Sequence, residues 1–473
     1  MTAPSNPSST SARGVPSGTP LGELQRRIGF WGASAVMVGV IIGSGIFRTP
    51  TEIAQALPHP PMILALWLAG GLLALAGALT YAELSCRYPA SGGLYVFLRE
   101  SYGPGAAFVF GWTYMLVAKP SAAAGIAVIF AQHVNTLLGV DWDPRIMTIA
   151  SVVGFTALNA AGVELGARVA EVLTGIKVLA LVAVAALVFA LAKDGSWSNF
   201  TPSPEASAQL SVKLGEVSLW LALVPVMAAI LWTYDGWADV GAIAGEVQNP
   251  QRTLPRVFMI GTGFVILLYV SVNAAYIYAL PIERIAREST LAPVVMDLLL
   301  GKAGAVAVTV LVILSTLGST HGSIMTGARV TYAQARDGLM FRPLATVSRR
   351  GTPAISLWTQ CGLSCIAALW LETFDKLAGS FVFTMWIFYA AAGVGLFILR
   401  RRQQREGMPA PRFLCPGYPV VPALFVLAAA GMTVLAIRED PKMTLTWIGV
   451  LAAGVPVYLV WKRTHRTGQG PRS

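Results

Sequence analysis

Apolar residues along this chain gather in long, nearly unbroken runs, not in the alternating or one-sided patterns of a soluble fold. Reading runs of about 20 residues as membrane-spanning helices divides it into twelve segments. They lie at 31–56, 61–84, 104–134, 145–163, 168–192, 219–246, 256–281, 303–334, 353–370, 373–399, 417–437 and 443–461. Two of the segments interrupt their own pattern. Segment one carries GVIIGSGIF at 39–47, and segment six carries LWTYDGWADVGAIAGEV at 231–247, with Asp235 and Gly236 near its centre. A glycine in a helix interior costs about 1 kcal/mol relative to alanine. In lipid, each backbone group freed by a break must find another partner, so both breaks predict a use for the freed groups.

Composition agrees with a bilayer as the solvent: 55% of the 473 residues are hydrophobic and only 12% are charged, and mean hydropathy is +0.64. The first twenty residues, rich in Ser, Pro, Thr and Gly, lack the basic start, apolar run and cleavage site of a signal peptide. The domain reading is a disordered cytoplasmic tail at 1–27, a twelve-helix membrane domain at 28–463 and a second cytoplasmic tail at 464–473. The net charge of +11 changes the picture only through its distribution. With both termini on one side, the loops and adjoining segment ends on that side hold 21 Lys and Arg against 10 on the other, and Lys119, Lys177 and Arg329 fall deeper within segments. The excess of positive charge places both termini in the cytoplasm of a plasma (inner) membrane protein. The charge is an orientation signal and not a nucleic-acid footprint. Four cysteines, two of them (Cys361 and Cys365) at i, i+4, read as small packing residues; no metal site or cofactor is predicted, and none falls in an outer loop where a structural disulfide is expected.

Segments one and six occupy corresponding places in two five-helix halves, 28–192 and 219–399, with 417–461 supplying two further helices. A matched pair of glycine-interrupted segments points to a transporter binding site built from inverted repeats. Unwinding around Gly43, Ser44 and Gly45 would aim free N–H groups and the positive end of a half-helix at one small volume, which suits a carboxylate. Unpaired carbonyls of the preceding half-helix, and others near Trp232 and Thr233, suit an ammonium. A site offering both fits an amino acid. Close packing of small residues, as in Gly39-x-x-x-Gly43, is the alternative for the glycines alone.

The motifs sharpen this. GVIIGSGIF with the following RTP, GGLLALAGALTYAELSCRYPASGGLYVFLRESYGP at 70–104, WTYDGWADVGAIAGEVQNPQRTLPR at 232–256, RPLATVSRRGTP at 342–353 and PGYPVVPALFVL at 416–427 resemble the L-type amino acid transporter family of the amino acid–polyamine–organocation superfamily. The likeness covers about residues 28–463. It implies an all-α integral membrane fold of twelve transmembrane helices, a LeuT-like 5+5 inverted repeat with helices 1 and 6 broken, an amphipathic cytoplasmic helix after segment two, and an NP-R-LP loop after segment six.

By the same resemblance, the substrate carboxylate would meet Gly43, Ser44 and Gly45. The amino group would meet carbonyls near Ile41 and Trp232, with Thr233 and Gly236 beside them and Trp232 as an aromatic lid. Lys177, mid-segment and therefore functional by default, matches a lysine standing at the sodium position of sodium-coupled relatives, and implies sodium-independent transport. Lys119 before Pro120 lines a vestibule or braces a kink. Glu83 and Glu246 gate by salt bridges or, preferably, end their helices in solvent. Asp235 contacts a cationic side chain or, preferably, caps the second half of its helix. His321 stands where relatives carry asparagine and either couples protons or donates one hydrogen bond; the lack of a carboxylate partner favours the second. Ser121 joins the expected pocket. Ala238 and Asp239 replace the Asn-Tyr of many animal members, and the loop after segment three lacks the cysteine that joins animal subunits to a heavy chain, so no disulfide-linked heavy chain is expected of this bacterial-type chain.

The reading is a sodium-independent exchanger of neutral L-amino acids working by alternating access in the lipid bilayer. Proton-coupled symport, a cationic amino acid or polyamine antiporter, and a non-transporting amino acid sensor are the alternatives; the short tails argue against the sensor. An enzyme is not expected, because no His, Asp, Glu or Cys cluster has catalytic or metal-ligand spacing.

Overall fold

A computed structural model describes residues 24–204, 217–288, 290–371, 374–439 and 441–466. Most of both predicted tails lies outside the described residues. Within them every regular element is a helix, apart from one isolated bridge between Ile28 and Val247. Each of the twelve apolar segments coincides with a helix or a broken helix. Among the described residues, seven helices are long and apolar enough to cross a membrane, from Phe30–Ala56 to Thr444–Thr464. The protein is a multi-pass membrane protein of the all-helical class.

The segment boundaries shift where proline intervenes. Segment seven begins at Pro250, not at 256: the predicted NP-R-LP loop is the first turns of its helix, Pro250–Arg256. Proline suits a first helical position because its missing N–H has no partner there to lose. Segment three runs from Pro104 to Leu138, with one wide π turn at Tyr114–Ala118 immediately before Lys119 and Pro120. Pro120 cannot donate to the preceding turn, and the Lys119 N–H reaches back to the Tyr114 carbonyl instead. The extra residue turns the rest of the helix relative to its first half. The amphipathic helix after segment two is Leu94–Tyr102, with Leu94 to Leu98 buried. Its Tyr95 hydroxyl donates to Asp337 at 3.1 Å, and Arg99 pairs with the same carboxylate. Burial and that neighbouring carboxylate push the Tyr95 phenol well above its ordinary range.

The two broken segments sit at the centre. The first half of segment one packs on segments five and eight and on the second half of segment six. An aromatic group of Tyr81, Trp237, Tyr389 and Phe425 ties segments two, six, ten and eleven together through edge-to-face and tilted contacts, and it anchors the polypeptide just after the second break.

Candidate functional site

Segment one is helical over Phe30–Ile41, leaves the helix at Ile42–Ser44 and restarts as Gly45–Ala56. The freed carbonyls do not face lipid. The Lys177 ammonium donates to Gly39 O at 2.7 Å, Ile42 O at 2.9 Å and Ser319 Oγ at 2.9 Å, which uses all three of its N–H bonds. Ser319 and Ser315 hydroxyls also lie against these carbonyls. Lys177 can come this close because its neighbour on segment eight is Gly318, where a Cβ would stand 2.8 Å from Lys177 Cε. The Ile41 carbonyl accepts from the Tyr269 hydroxyl at 2.9 Å and from the Gly43 N–H at 2.8 Å. On the other side of the break, the first N–H groups of the restarted helix have no preceding turn to bond to.

Segment six is α-helical over Val217–Tyr234 and continues as a ten-residue 3₁₀ helix, Trp237–Glu246. So long a run of this tighter, poorer geometry is uncommon. Gly236 turns the chain at φ 111°, a conformation that favours glycine. A Cβ there would meet Val40 Cγ1 at 2.7 Å and the Ile41 N at 3.0 Å, so the two breaks touch backbone to backbone. Thr49 and Thr233 hydroxyls join the segments again at 2.9 Å.

Between the breaks lies a cavity of about 50 Å³. All eight residues expected to bind substrate line it: Ile41, Gly43, Ser44, Gly45, Trp232, Thr233, Asp235 and Gly236. Lys119, Asp239 and Ser323 complete its polar wall, and Ala122 and Ile126 its apolar one. Lys119 Nζ meets Asp239 Oδ2 at 2.5 Å, and the Thr326 hydroxyl donates to the same oxygen at 3.1 Å. Asp235 Oδ1 accepts from the Tyr389 hydroxyl at 3.0 Å. The cavity therefore offers N–H groups at one end, and a carboxylate and an ion pair at the other.

A family model described as amino acid permease matches residues 28–460. The chain belongs to the amino acid permease family. This is a family of transporters, not enzymes. The mouse (Mus musculus) b(0,+)-type amino acid transporter 1 is 33% identical over 416 residues, covering 86% of this chain and 82% of the mouse protein. The serine/threonine exchanger SteT of Bacillus subtilis (strain 168) is 29% identical over 447 residues, 93% of this chain and 98% of that protein. The human (Homo sapiens) cystine/glutamate transporter is 29% identical over 454 residues, 94% and 87%. These names fit the resemblance to the L-type transporters.

Several site residues of the permease differ from the sequence reading. Ile41 lines the cavity, but its carbonyl already accepts two hydrogen bonds and is not free for a substrate ammonium. Ser121 is buried away from the cavity. The face that reaches the cavity is Lys119, Ala122 and Ile126, a helical stripe whose direction the π turn sets. Asp235 is not a cap: Gly236 occupies the N-cap position, with no side-chain cap bond, and Asp235 is held by Tyr389.

His321 is also off the cavity wall. It is fully buried, with Nε2 at 2.8 Å from the Gly166 carbonyl and Nδ1 at 3.0 Å from the Asn159 amide nitrogen. One ring nitrogen faces an acceptor and the other a donor, which is the pattern of a neutral imidazole. Lys119 is a wall of the cavity and the partner of Asp239.

Glu83 and Glu246 are not solvated ends; both are 0% exposed. Glu83 accepts from Arg87, Arg400 and the Cys415 N–H. Glu246 forms a two-pronged pair with the buried Arg329 at 2.8 and 3.1 Å. Ile28 N–H donates to Glu246 O at 2.9 Å, so the chain entering segment one is tied to the end of segment six beside that pair. Sequence reading missed Tyr269, Ser315, Ser319 and Tyr389 as supports of the breaks. Ser315 and Ser319, at i, i+4 on one helix, carried a readable signal; the two tyrosines, far away in sequence, carried none.

Proposed function

We propose that this permease is a sodium-independent exchanger of neutral L-amino acids, working by alternating access around the cavity between the two broken segments. The observation that carries the reading is the placement of that cavity, with the helix start at Gly45 on one side and the turn at Gly236 on the other. The N–H groups at Ser44 and Gly45, where the helix restarts, would receive the carboxylate, because the Gly43 N–H is taken by the Ile41 carbonyl. Since the Ile41 carbonyl is taken, the ammonium would turn to the segment-six side, near Trp232 and Thr233, with Asp235 as a nearby countercharge. Trp232 would cover the bound substrate. Lys177 supports sodium independence: its ammonium holds the carbonyls a bound cation would otherwise neutralise. The relative named as an exchanger supports exchange, and the even balance of Lys119 against Asp239 favours neutral side chains.

Twelve membrane crossings in a LeuT-like 5+5 repeat, with both termini cytoplasmic, form part of the same reading. It is supported by a helix at each apolar segment and by the charge distribution. The described cysteines lie just after segment two, in segment nine and just before segment eleven, three of them buried, which supports a chain without a disulfide-linked partner. The test is uptake of labelled neutral amino acids into sodium-free proteoliposomes, with and without unlabelled amino acid inside. Uptake that requires internal amino acid and ignores a pH gradient is expected. Uptake into empty vesicles driven by inward protons would replace exchange with symport.

A further inference from the structure

Three polar groups in the cavity wall have bonding capacity that the protein itself leaves unspent. The Ser323 hydroxyl is buried, 1% exposed, and has no hydrogen-bond partner among the described residues. Lys119, 3% exposed, directs one N–H to Asp239 and has two more to give. Asp239 receives both of its hydrogen bonds on Oδ2, from Lys119 and Thr326, which leaves Oδ1 as an acceptor. The three come from segments three, six and eight and converge on one cavity. A buried hydroxyl left unsatisfied is unfavourable, so its place on a cavity wall points to a ligand.

We propose that Lys119, Asp239 and Ser323 form the side-chain subsite of this transporter and select amino acids bearing a short hydroxyl, serine and threonine in chemical class. The proposal rests on the amino acid transport reading above. An acidic side chain would face the Asp239 and Asp235 carboxylates, and a basic one the Lys119 ammonium. An aliphatic side chain would seal Ser323 and Asp239 Oδ1 away from water with nothing to bond. A hydroxyl donates one hydrogen bond and accepts up to two, so it can give to Asp239 and receive from Lys119 or Ser323.

Size points the same way. At about 10–15 Å³ per water-sized group, a cavity of about 50 Å³ holds roughly four. So small a space favours a short side chain over an aromatic ring.

The test compares isosteres that differ only in the hydroxyl: threonine against valine, and serine against 2-aminobutyrate, as competitors for exchange in proteoliposomes. Sites built to bond a hydroxyl reject analogues lacking it strongly, and a preference of at least about tenfold for the hydroxyl partner is expected. Ser323→Ala should lower the threonine-to-valine ratio at least about fivefold. Equal competition by valine and threonine in the unmodified protein would overturn the proposal, as would a Ser323→Ala variant that weakens both alike. Thermal stabilisation of the purified protein by each amino acid separates the two levels of argument. If exchange is absent, the transport reading falls. In that case, stabilisation by threonine over valine would still uphold the subsite, and equal or absent stabilisation would overturn it.

Discussion

The two helix breaks meet the same requirement, that no freed backbone group be left in an apolar medium, by different means. At the first break the carbonyls share several donors. Ile42 O is approached by Lys177, Ser315 and Ser319, Gly39 O by Lys177 and Ser319, and Ile41 O by Tyr269 and the Gly43 N–H. At the second break a left-handed glycine makes the turn, and the ties around it run through side chains: Lys119 and Thr326 to Asp239, and Tyr389 to Asp235. The first break bonds its carbonyls redundantly, whereas among the described residues the second has one ion pair, Lys119–Asp239, beside the cavity. Redundant bonding holds a fixed shape, whereas one ion pair beside a cavity can be exchanged for bonds to a ligand. On the proposed reading, segment one is the static half of the site and segment six the responsive half.

The largest effect that would sharpen this contrast is expected from Lys119→Met. It leaves Asp239 in the cavity without its cation, and breaking a buried pair from one side costs about 3–5 kcal/mol. The unfolding free energy from SDS titration in mixed micelles should fall by that order, and the double variant Lys119→Met/Asp239→Asn should regain part of it. A double variant no better than the single would show that the pair is not what holds the second break.

Gly236→Ala comes next. The backbone conformation and the 2.7 Å approach to Val40 predict a loss of about 1–3 kcal/mol. Uptake should fall at least about tenfold, because displacing a positioned group by about 1 Å can cost on the order of 10²-fold in rate. Retention of full uptake would mean that the two breaks need not touch.

The smallest effect is expected at the redundant break. Tyr269→Phe removes one of two donors to Ile41 O and should cost only about 1 kcal/mol, as should Ser315→Ala. If either matched Lys119→Met on the same titration, the contrast between the breaks would be lost.

Much of the architecture could be read from local pattern. Apolar runs located all twelve helical segments, and the glycines at 43, 45 and 236 located both interruptions, because glycine in a membrane helix is a local cost with a local consequence. Lys177 announced itself as a charge in the middle of an apolar run. Other parts were not legible. The π turn at Tyr114–Ala118 decided that Lys119, Ala122 and Ile126 reach the cavity while Ser121 does not. A one-residue change in helical phase leaves almost no trace in composition. Glu83 and Glu246 stood near predicted helix ends, where solvent is the ordinary partner, yet Arg400 and Arg329 cover them from helices distant in sequence.

What the sequence determined by itself is therefore the solvent, the helices, the two breaks and the family of chemistry they imply, since each depends on residues adjacent in the chain. The tertiary structure alone decided which charges meet. Lys119 and Asp239 are 120 residues apart and Asp235 and Tyr389 are 154 apart. Whether a buried charge is an anchor, a wall or a ligand site depends on the partner that packing brings within about 3 Å, and no local periodicity encodes that distance.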